Sequence, residues 1–452
     1  NNFMLYLYYS ERRVDMKLHI ENIAKIEKAD IEINGITVIA GENSTGKSTV
    51  SKVLYCLFET FKDIEAKISN EKRQSIDIRL SRQLKNNEKD EDGLEIFFVP
   101  VDFKQEIVDG IIKGLDSGEL RTEEEIEELV NGFLNGTPYT MSDINSFSKY
   151  VLTINKMTVG QVNGTLMSRC LSTEFNHQYL PLYNVYNTPR ISLNIKDEDI
   201  DLLYDFEIDS FINTKFTPIT HSIIYLDDPH LIDSLTMTPQ EVSLAMRRRK
   251  RKFRLVANHN ARMENMITDP LGIDRNKSVF DEIIIKDSYN KIIQKLIELL
   301  DGEIDLIENE FRFIEDGIDE PIDLINLSMG SKSLVTILKL IKSGNIVENG
   351  IIILDEPEIH LHPKWQLSFA EILILMQKEL NLHILINTHS AYFINALEVY
   401  SSIYKIANRC KYYFATLNDS KRAEFEDVTT NIGKIYIKLA QPLLDLEDLV
   451  GQ

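Results

Sequence analysis

Hydrophobic and polar residues alternate through the segment 16-MKLHIENIAKIEKADIEI-33. Because successive side chains of a β-strand point to opposite faces, this period of two predicts two strands joined in a hairpin. The short apolar run that follows, 36-ITVIA-40, predicts a third strand. After Lys47 the apolar residues recur at helical spacing instead, which predicts an amphipathic helix. The apolar positions of that helix are Val50, Val53, Leu54, Leu57, Phe58, Phe61 and Ile64.

Two later apolar runs do not alternate. The segment 350-GIIILDEP-357 has a continuous apolar run before Asp355 and Glu356, and 382-LHILINTHS-390 has a similar run shortly before His389. A continuous apolar run predicts a strand that is buried on both faces of a parallel sheet. Ligands of open α/β sheets bind beyond the carboxyl ends of the strands. The sequence therefore predicts that Asp355, Glu356 and His389 lie at a ligand site.

The predicted third strand runs directly into 41-GENSTGKST-49, which matches the phosphate-loop pattern G-x-x-x-x-G-K-[ST]. A strand before the loop and a helix after it are the flanks that this pattern requires. Backbone N–H groups of such a loop bind phosphate together with the helix N-terminus. Lys47 is predicted to neutralise the β- and γ-phosphates, and the Ser48 hydroxyl to bind Mg²⁺. The predicted nucleotide-binding residues of the loop are Asn43, Ser44, Thr45, Gly46, Lys47, Ser48 and Thr49.

Carboxylates at a strand end suit phosphoryl transfer, which needs positioning and charge more than covalent chemistry. Asp355 is predicted to hold Mg²⁺, directly or through water, and Glu356 to polarise the attacking water. His389 is predicted to reach a γ-phosphate, although a lone histidine is more often structural. His360 and His362 lack further ligands at a usable spacing, so we reject a zinc site there.

A second anion-binding helix N-terminus is predicted at 327-LSMGSKSL-334, which we call the signature segment. It follows the alternating stretch 303-EIDLIENEFRFI-314 and precedes apolar residues at helical spacing, so we expect a turn between a strand and a helix. The chain already carries one complete phosphate loop. A second, lysine-bearing turn therefore indicates a contact with a γ-phosphate that is bound elsewhere.

The combination of a phosphate loop, the signature segment, an apolar strand ending in two carboxylates and a terminal histidine resembles the ABC-type ATPases. The resemblance implies an α/β fold, an ABC-type P-loop ATPase head carrying helical insertions, with ATP and Mg²⁺ as cofactors. It also implies a homodimer or higher homo-oligomer, in which the signature segment of one head touches the ATP of the other. The contacts carried over are Ser328, Gly330 and Lys332, while Met329 departs from the glycine or serine of many members.

The ABC-type family also has a glutamine between its two half-motifs that links magnesium to a moving lobe. The best match in this chain is 174-EFNHQYLP-181, which places that role, next to the metal, on Gln178. An ordinary polar turn residue is the alternative interpretation of Gln178.

Within this family, 354-LDEPEIHLHPKWQ-366 followed by INTHSAYF is most similar to OLD-type (overcoming lysogenization defect) and related ATPases of bacterial anti-phage systems. OLD nucleases carry a C-terminal nuclease domain, for which the 62 residues after Ser390 are too few. The resemblance therefore implies that a separately encoded effector, a nuclease or a toxin, acts with this chain.

The patterns predict one ATPase lobe interrupted by two helical insertions. Thr122 is predicted to cap an amphipathic helix within 122-TEEEIEELVNGFL-134. Sustained heptads are missing from the sequence, which argues against a long coiled-coil arm. The expected bounds are 1–15 for an N-terminal extension or non-native residues, 16–85, 156–231 and 301–452 for the lobe, and 86–155 and 232–300 for the insertions.

The chain has 452 residues, of which 50 are basic and 71 acidic, and its formal net charge is −21. This charge argues against general adhesion to DNA or to an anionic membrane. The basic run 247-RRRKRKFR-254 is interpreted either as a contact for nucleic acid or an acidic partner, or as a solvated helix face or a clamp for the protein's own carboxylates. Its basic residues are Arg247, Arg248, Arg249, Lys250, Arg251, Lys252 and Arg254.

Cys56, Cys170 and Cys410 are far apart in the sequence and are predicted to be buried apolar residues. No apolar run approaches the roughly 20 residues of a membrane span. Residues 1–15 lack the features of a signal peptide. The sequence predicts a cytoplasmic protein that does not bind a membrane.

Two functions stay open on these grounds. The first is an ATP-gated switch, a homodimeric ATPase that senses infection and controls an effector in phage defence. The alternative is a DNA-repair or DNA-clamp ATPase similar to the RecF type, which would need a basic face near the dimer cleft. A transporter subunit is disfavoured because the material between the half-motifs is too large.

Overall fold

The computed structural model divides into two compact units. The larger unit comprises Asn1–Lys62 and Gly164–Gln452, and the smaller unit comprises Asp63–Asn163. The residues that the structure describes are 16–87, 99–183, 187–196, 198–215, 217, 219–236, 258–268, 279–308 and 310–450.

The described strands are numbered in chain order. They are β1 (Met16–Ile23), β2 (Ile26–Ile33), β3 (Ile36–Gly41), β4 (Leu84–Asn86), β5 (Tyr139–Met141), β6 (Arg190–Ile195), β7 (Glu198–Asp205), β8 (Ser210–Lys215), β9 (Ile223–Leu226), β10 (Gly302–Ile307), β11 (Glu310–Glu315), β12 (Ile322–Asp323), β13 (Ile351–Asp355), β14 (His383–Thr388), β15 (Cys410–Leu417) and β16 (Ala423–Asp427).

The described α-helices are numbered in the same way. They are α1 (Lys47–Phe61), α2 (Ile64–Gln83), α3 (Val101–Ser117), α4 (Glu123–Leu134), α5 (Ile144–Lys156), α6 (Val159–Glu174), α7 (His259–Thr268), α8 (Val279–Leu300), α9 (Met329–Lys342), α10 (Pro363–Leu380), α11 (Ala391–Ile403) and α12 (Gly433–Val450).

An eleven-stranded mixed sheet lies at the centre of the larger unit, in the order β8-β7-β6-β1-β2-β16-β15-β3-β14-β13-β9. The strands from β15 to β9 pair in parallel. The strands from β8 to β2 pair antiparallel, and β1 and β2 form the predicted hairpin. The predicted α/β fold class is therefore confirmed, with a parallel half and an antiparallel half in one sheet.

Helices cover both faces of the parallel half, which explains why its strands read as continuous apolar runs. Along β3, Ile36 and Val38 point into one apolar cluster and Ile39 points into the other. The first cluster contains residues of α9, α10 and α11, and the second contains residues of α1. The sheet therefore separates two cores, and its strand ends are held from both sides.

The segment predicted as the second insertion contributes α7 and α8, whose Met263 and Leu296 pack into the first of these cores. The alternating stretch 303–314 forms β10 and β11, two strands of a separate three-stranded sheet with β12. A 3-10 turn at Leu324–Asn326 then leads into α9. Within the described residues, no helix is long and apolar enough to cross a membrane.

The smaller unit contains helices α2 to α5 and the short pair β4 and β5, and it has its own apolar core. The described residues of the segment 86–155, predicted as an insertion, lie inside this unit. Helix α4 begins as predicted, because the Thr122 side chain accepts a hydrogen bond from the Glu125 backbone N–H and the Glu125 carboxylate accepts one from Thr122 N–H. This reciprocal capping box satisfies N–H groups that a helix start leaves unpaired.

Replacing Thr122 by Ala is expected to destabilise the first turn of α4 by about 1 kcal/mol, since the side-chain cap is lost. Hydrogen-exchange mass spectrometry should then show faster exchange in peptides from the start of α4. Thr153→Ala is the matched control, because the Thr153 hydroxyl only bonds back to Lys149 within its own helix. Equal exchange in the wild type and Thr122→Ala would contradict the assignment of the cap.

Candidate nucleotide site

The phosphate-loop segment joins β3 to α1 and depends on glycine at its hinge. Gly46 is the N-cap of α1 with a φ of +87°, a left-handed conformation that strains other residues. A Cβ atom at Gly46 would lie 3.1 Å from Ala423 Cβ, so space is short as well. Gly46 therefore allows the loop to turn tightly and leaves the first N–H groups of α1 open to an anion.

Lys47 lies inside this loop, with 5% of its surface exposed. Its ammonium group donates hydrogen bonds to the carbonyl oxygens of Gly41 and Glu42, both at 2.8 Å. Burial lowers the pKa of Lys47, and the carboxylates of Glu356 and Asp355 oppose that shift. The loop thus holds one cation beside two carboxylates, a position from which it can neutralise a phosphate.

The predicted strand ends come together as expected. Strand β13 pairs with β14 in a register that sets Asp355 beside Asn387. Asp355 accepts hydrogen bonds from the Asn387 side-chain amide at 3.1 Å and from the Tyr225 hydroxyl at 3.1 Å. These two donors fix the orientation of the Asp355 carboxylate at the edge of the sheet.

Glu356 follows directly and has a φ of +50°, which is uncommon for a residue other than glycine. Its backbone N–H donates to the carbonyl oxygen of Asn387 at 2.9 Å. His389 Nδ1 lies 3.3 Å from Glu356 Oε1. The structure therefore brings the predicted water-polarising carboxylate and the predicted γ-phosphate histidine into contact.

Two adjoining clefts connect the loop to these strand ends. One, of about 290 Å³, is lined by residues 43–49 and by Glu356. The other, of about 330 Å³, is lined by Ser48, Asp355 and Glu356 among others. The Ser48 hydroxyl and the Asp355 carboxylate are oxygen donors of the kind that Mg²⁺ prefers, so the residues present fit that ion.

Asp227 and Asp228 also line the second cleft, and sequence reasoning gave them no role. They follow β9, which pairs in parallel with β13. The signal was available, because 222-SIIYLDDPH-230 has an apolar run followed by two carboxylates, the pattern that identified Asp355 and Glu356.

A buried histidine lies behind Asp227. His259 Nδ1 is 2.6 Å from Glu174 Oε2, and His259 Nε2 is 3.0 Å from Asp227 Oδ2. Burial alone would lower the pKa of His259, but its hydrogen bonds to Asp227 and Glu174 outweigh burial and raise the pKa to about 9. The imidazole ring stacks on Tyr225, with ring centroids 4.2 Å apart. His259 is thus a cation held between two carboxylates.

Glu358 is a second residue that the sequence did not indicate. Its side chain is buried, with 2% of the residue exposed, and it accepts a hydrogen bond from the Thr388 hydroxyl. Burial raises the pKa of Glu358, and the bond from Thr388 opposes that shift. Its other oxygen, Oε2, has no hydrogen-bond partner among the described residues. A carboxyl group in this position costs stability when it is charged.

The signature segment begins α9, but its three predicted contacts do not lie together. Ser328 is exposed and caps the helix, accepting a hydrogen bond from Ser331 N–H at 3.1 Å. Gly330 is buried, and a Cβ atom there would lie 2.7 Å from the carbonyl oxygen of His360. Lys332 is 3% exposed, and its ammonium lies 2.7 Å from Asp233 Oδ1. Its contact with a nucleotide stays a prediction.

Two further predictions stay open. Gln178 is exposed in the loop after α6, where its backbone N–H donates to the carbonyl oxygen of Phe175 at 3.0 Å. Leu182, farther along the same loop, lines the cleft at residues 43–49. The metal-side role of Gln178 stays a prediction. The basic run at 247–254 lies outside the residues that the structure describes. Its two interpretations stand as they were.

Comparison with known proteins decides the family. A family model described as AAA ATPase domain, AAA_15, matches residues 16–394, most of the chain. The chain belongs to this AAA ATPase family. The predicted P-loop ATPase class is confirmed at that level, and the match spans the phosphate loop, the signature segment and the strand ends described above.

One curated relative of this AAA ATPase domain is the "Retron Vc95 probable ATPase" of Vibrio cholerae serotype O1 biovar El Tor, with 28% identity over 144 residues. The alignment covers 28% of the chain and 27% of that relative. Two similar solved structures are an SmcHead bound to the C-winged helix domain of ScpA, with a TM-score of 0.44, and the SMC head domain from Thermotoga maritima, with 0.38. Both are 11% identical, and the matches cover 93% and 92% of this chain and 99% of each structure.

Glu358→Gln is expected to stabilise the protein at pH values above the ordinary carboxyl pKa of 4.5. The amide keeps the hydrogen bond from Thr388 but carries no buried charge. A carboxyl group with a raised folded-state pKa contributes stability below its unfolded pKa, near 4.5, and loses that contribution as pH rises through the folded value. The melting temperature of the wild type should therefore fall relative to that of Glu358→Gln as pH rises from 4.5. A constant difference across this range would contradict the raised pKa.

Proposed function

We propose that this chain is an ATP-gated switch that binds ATP with Mg²⁺ and hydrolyses it between two copies of itself. The observation that carries the proposal is the convergence of the loop 43–49, Asp355 and Glu356 on two adjoining clefts, with His389 in contact with Glu356. Such a site supplies a phosphate cradle, a metal ligand and a carboxylate for water. Phosphoryl transfer needs these groups.

In this proposal Lys47 neutralises the β- and γ-phosphates, while Ser48 and Asp355 hold Mg²⁺. Glu356 polarises the attacking water, and His389 stabilises the γ-phosphate. The contact of His389 with Glu356 supports this division of roles, since a base needs a neighbour that orients it. The left-handed backbone of Glu356 directs a carboxylate off the strand end at a cost in strain, which is typical of functional positions.

The signature segment supports the proposal of a homodimer. Ser328 is exposed at the N-terminus of α9, and neither of the two clefts described above has it in its lining. A helix N-terminus with an exposed hydroxyl is suited to bind an anion. We propose that Ser328 and the backbone at Gly330 contact the γ-phosphate held by the partner subunit, so that ATP stabilises the closed dimer and ADP releases it.

The defence role rests on the resemblance of 354-LDEPEIHLHPKWQ-366 to OLD-type ATPases and on the relative named as a retron ATPase. We propose that the ATP-bound dimer holds or triggers a separately encoded effector, a nuclease or a toxin, in an anti-phage system. A slow hydrolysis rate suits such a sensor, because it waits in one state until infection.

Glu356→Gln is expected to lower ATP hydrolysis by a factor of about 100 or more, since a positioned base contributes at least that much. It should still bind ATP and accumulate as a dimer. Lys47→Ala should not bind ATP, because the charge that faces the phosphates is lost. Phosphate release, and light scattering with ATP or ADP, measure these outcomes. Wild-type hydrolysis by Glu356→Gln would overturn its role as base.

Ser328→Asp is expected to abolish hydrolysis without disturbing α9, since aspartate also caps a helix but repels phosphate. Mixed with Lys47→Ala, it should regain part of the activity. In a mixed dimer, the intact loop of the Ser328→Asp subunit faces the intact signature segment of the Lys47→Ala subunit. Failure of the two variants to complement each other would argue against a site shared between subunits.

Native mass spectrometry tests whether the chain binds a separately encoded effector. The chain is co-expressed with the product of its neighbouring gene and measured with ATP and Mg²⁺, with ADP, and as Lys47→Ala. A complex that depends on ATP supports the switch. A dimer that instead retains DNA, and loses it when the basic residues of 247–254 are replaced by Gln, would favour the RecF-like DNA clamp.

A further inference from the structure

Glu174 in α6, His259 in α7 and Asp227 after β9 form a charged network. Asp227 lines the cleft that also contains Ser48 and Asp355. The side chains of Glu174 and His259 are 1% and 5% exposed, and Asp227 is 28% exposed, so the network runs from the interior to the cleft. Glu174 also accepts a hydrogen bond from the backbone N–H of His259 at 2.7 Å. Glu174 therefore holds His259 through its backbone N–H and through Nδ1, while Nε2 lies in ion-pair range of Asp227.

The network also contacts Asp355, the predicted Mg²⁺ ligand, through Tyr225. The His259 ring stacks on Tyr225, whose hydroxyl donates to Asp355 Oδ2 at 3.1 Å. Helix α7 is also attached to the phosphate-loop helix, because Arg262 donates to Glu59 Oε1 at 2.8 Å. His259 thus touches Tyr225 on β9, which orients the predicted Mg²⁺ ligand, and Asp227 just after β9, which lines the cleft itself.

We propose that Asp227 is a positioning residue for Mg²⁺, accepting a hydrogen bond from a water molecule of the ion, and that His259 and Glu174 hold it in place. This inference rests on the proposed function. The contact with His259 uses Oδ2, so the carboxylate can present its other oxygen to the cleft shared with Ser48 and Asp355. Mg²⁺ keeps several of its waters in proteins, and carboxylates that bind them tune its affinity.

Comparison with two other candidates, Asp228 and Gln178, shows why Asp227 is assigned. Asp228 lines the same cleft, but its Oδ1 accepts a hydrogen bond from His230 N–H at 2.8 Å at the start of the 3-10 helix Pro229–Thr236. Gln178, given the metal-side role from sequence, does not line the cleft that contains Ser48 and Asp355. Asp227 combines that position with a buried partner that fixes it.

The test compares Asp227→Asn with Asp228→Asn, a matched loss of one charge at the adjacent position in the same cleft. Mn²⁺ replaces Mg²⁺, and electron paramagnetic resonance measures its binding in the presence of a non-hydrolysable ATP analogue. Asp227→Asn is expected to weaken Mn²⁺ binding by about tenfold, the usual effect of losing such a partner. Asp228→Asn should bind Mn²⁺ like the wild type. Binding of the analogue in EDTA should be the same in all three proteins.

Equal Mn²⁺ affinity of Asp227→Asn and the wild type would overturn the assignment. An equal loss of affinity in Asp227→Asn and Asp228→Asn would overturn it too, because it would show only an effect of the total negative charge in the cleft. No Mn²⁺–nucleotide binding by the wild type itself would overturn the proposed function and this inference with it. His259→Gln tests whether His259 holds Asp227 in place. This variant should bind Mn²⁺ more weakly, while its binding of the analogue in EDTA stays unchanged. Wild-type Mn²⁺ affinity in His259→Gln would remove His259 from the proposal.

Discussion

Parallel pairing of β9, β13, β14 and β3 is the constraint on which the candidate site depends. In a parallel sheet the carboxyl ends of neighbouring strands meet at one edge. Here that edge collects Asp227, Asp355, His389 and the phosphate loop from four separate parts of the chain. The pairing itself is stabilised by apolar clusters on both faces, so the site lies at the ends of strands that are buried on both sides.

Charge balance is the second condition for this site. The chain is strongly acidic, and several of its carboxylates lie at the same edge of the sheet. Two buried cations offset them: Lys47 within the phosphate loop, and His259 between Glu174 and Asp227. Lys47 is bonded only to backbone carbonyls in the contacts described, so a phosphate can compete for it, whereas His259 already has a carboxylate beside each ring nitrogen.

The signature segment at the start of α9 has both buried and exposed residues. Gly330 and Lys332 turn inward, the first against the backbone of His360 and the second into an ion pair with Asp233. Ser328 alone of the three predicted contacts is exposed. The inward residues fix where α9 starts relative to the loop after β13. Through Gly330, the start of α9 therefore packs against the same loop that carries Glu356.

Local sequence determined the phosphate loop, the hairpin, the buried strands and the cap of α4, because each is set by neighbouring residues through periodicity, glycine placement or a short spacing. Asp355, Glu356 and His389 were predicted as site residues for the same reason, since each comes at or just after the end of an apolar run. Tertiary structure alone decided the partners of His259, Lys332 and Glu358. Those contacts join residues far apart in sequence, and their charge and burial depend on how the chain folds back on itself.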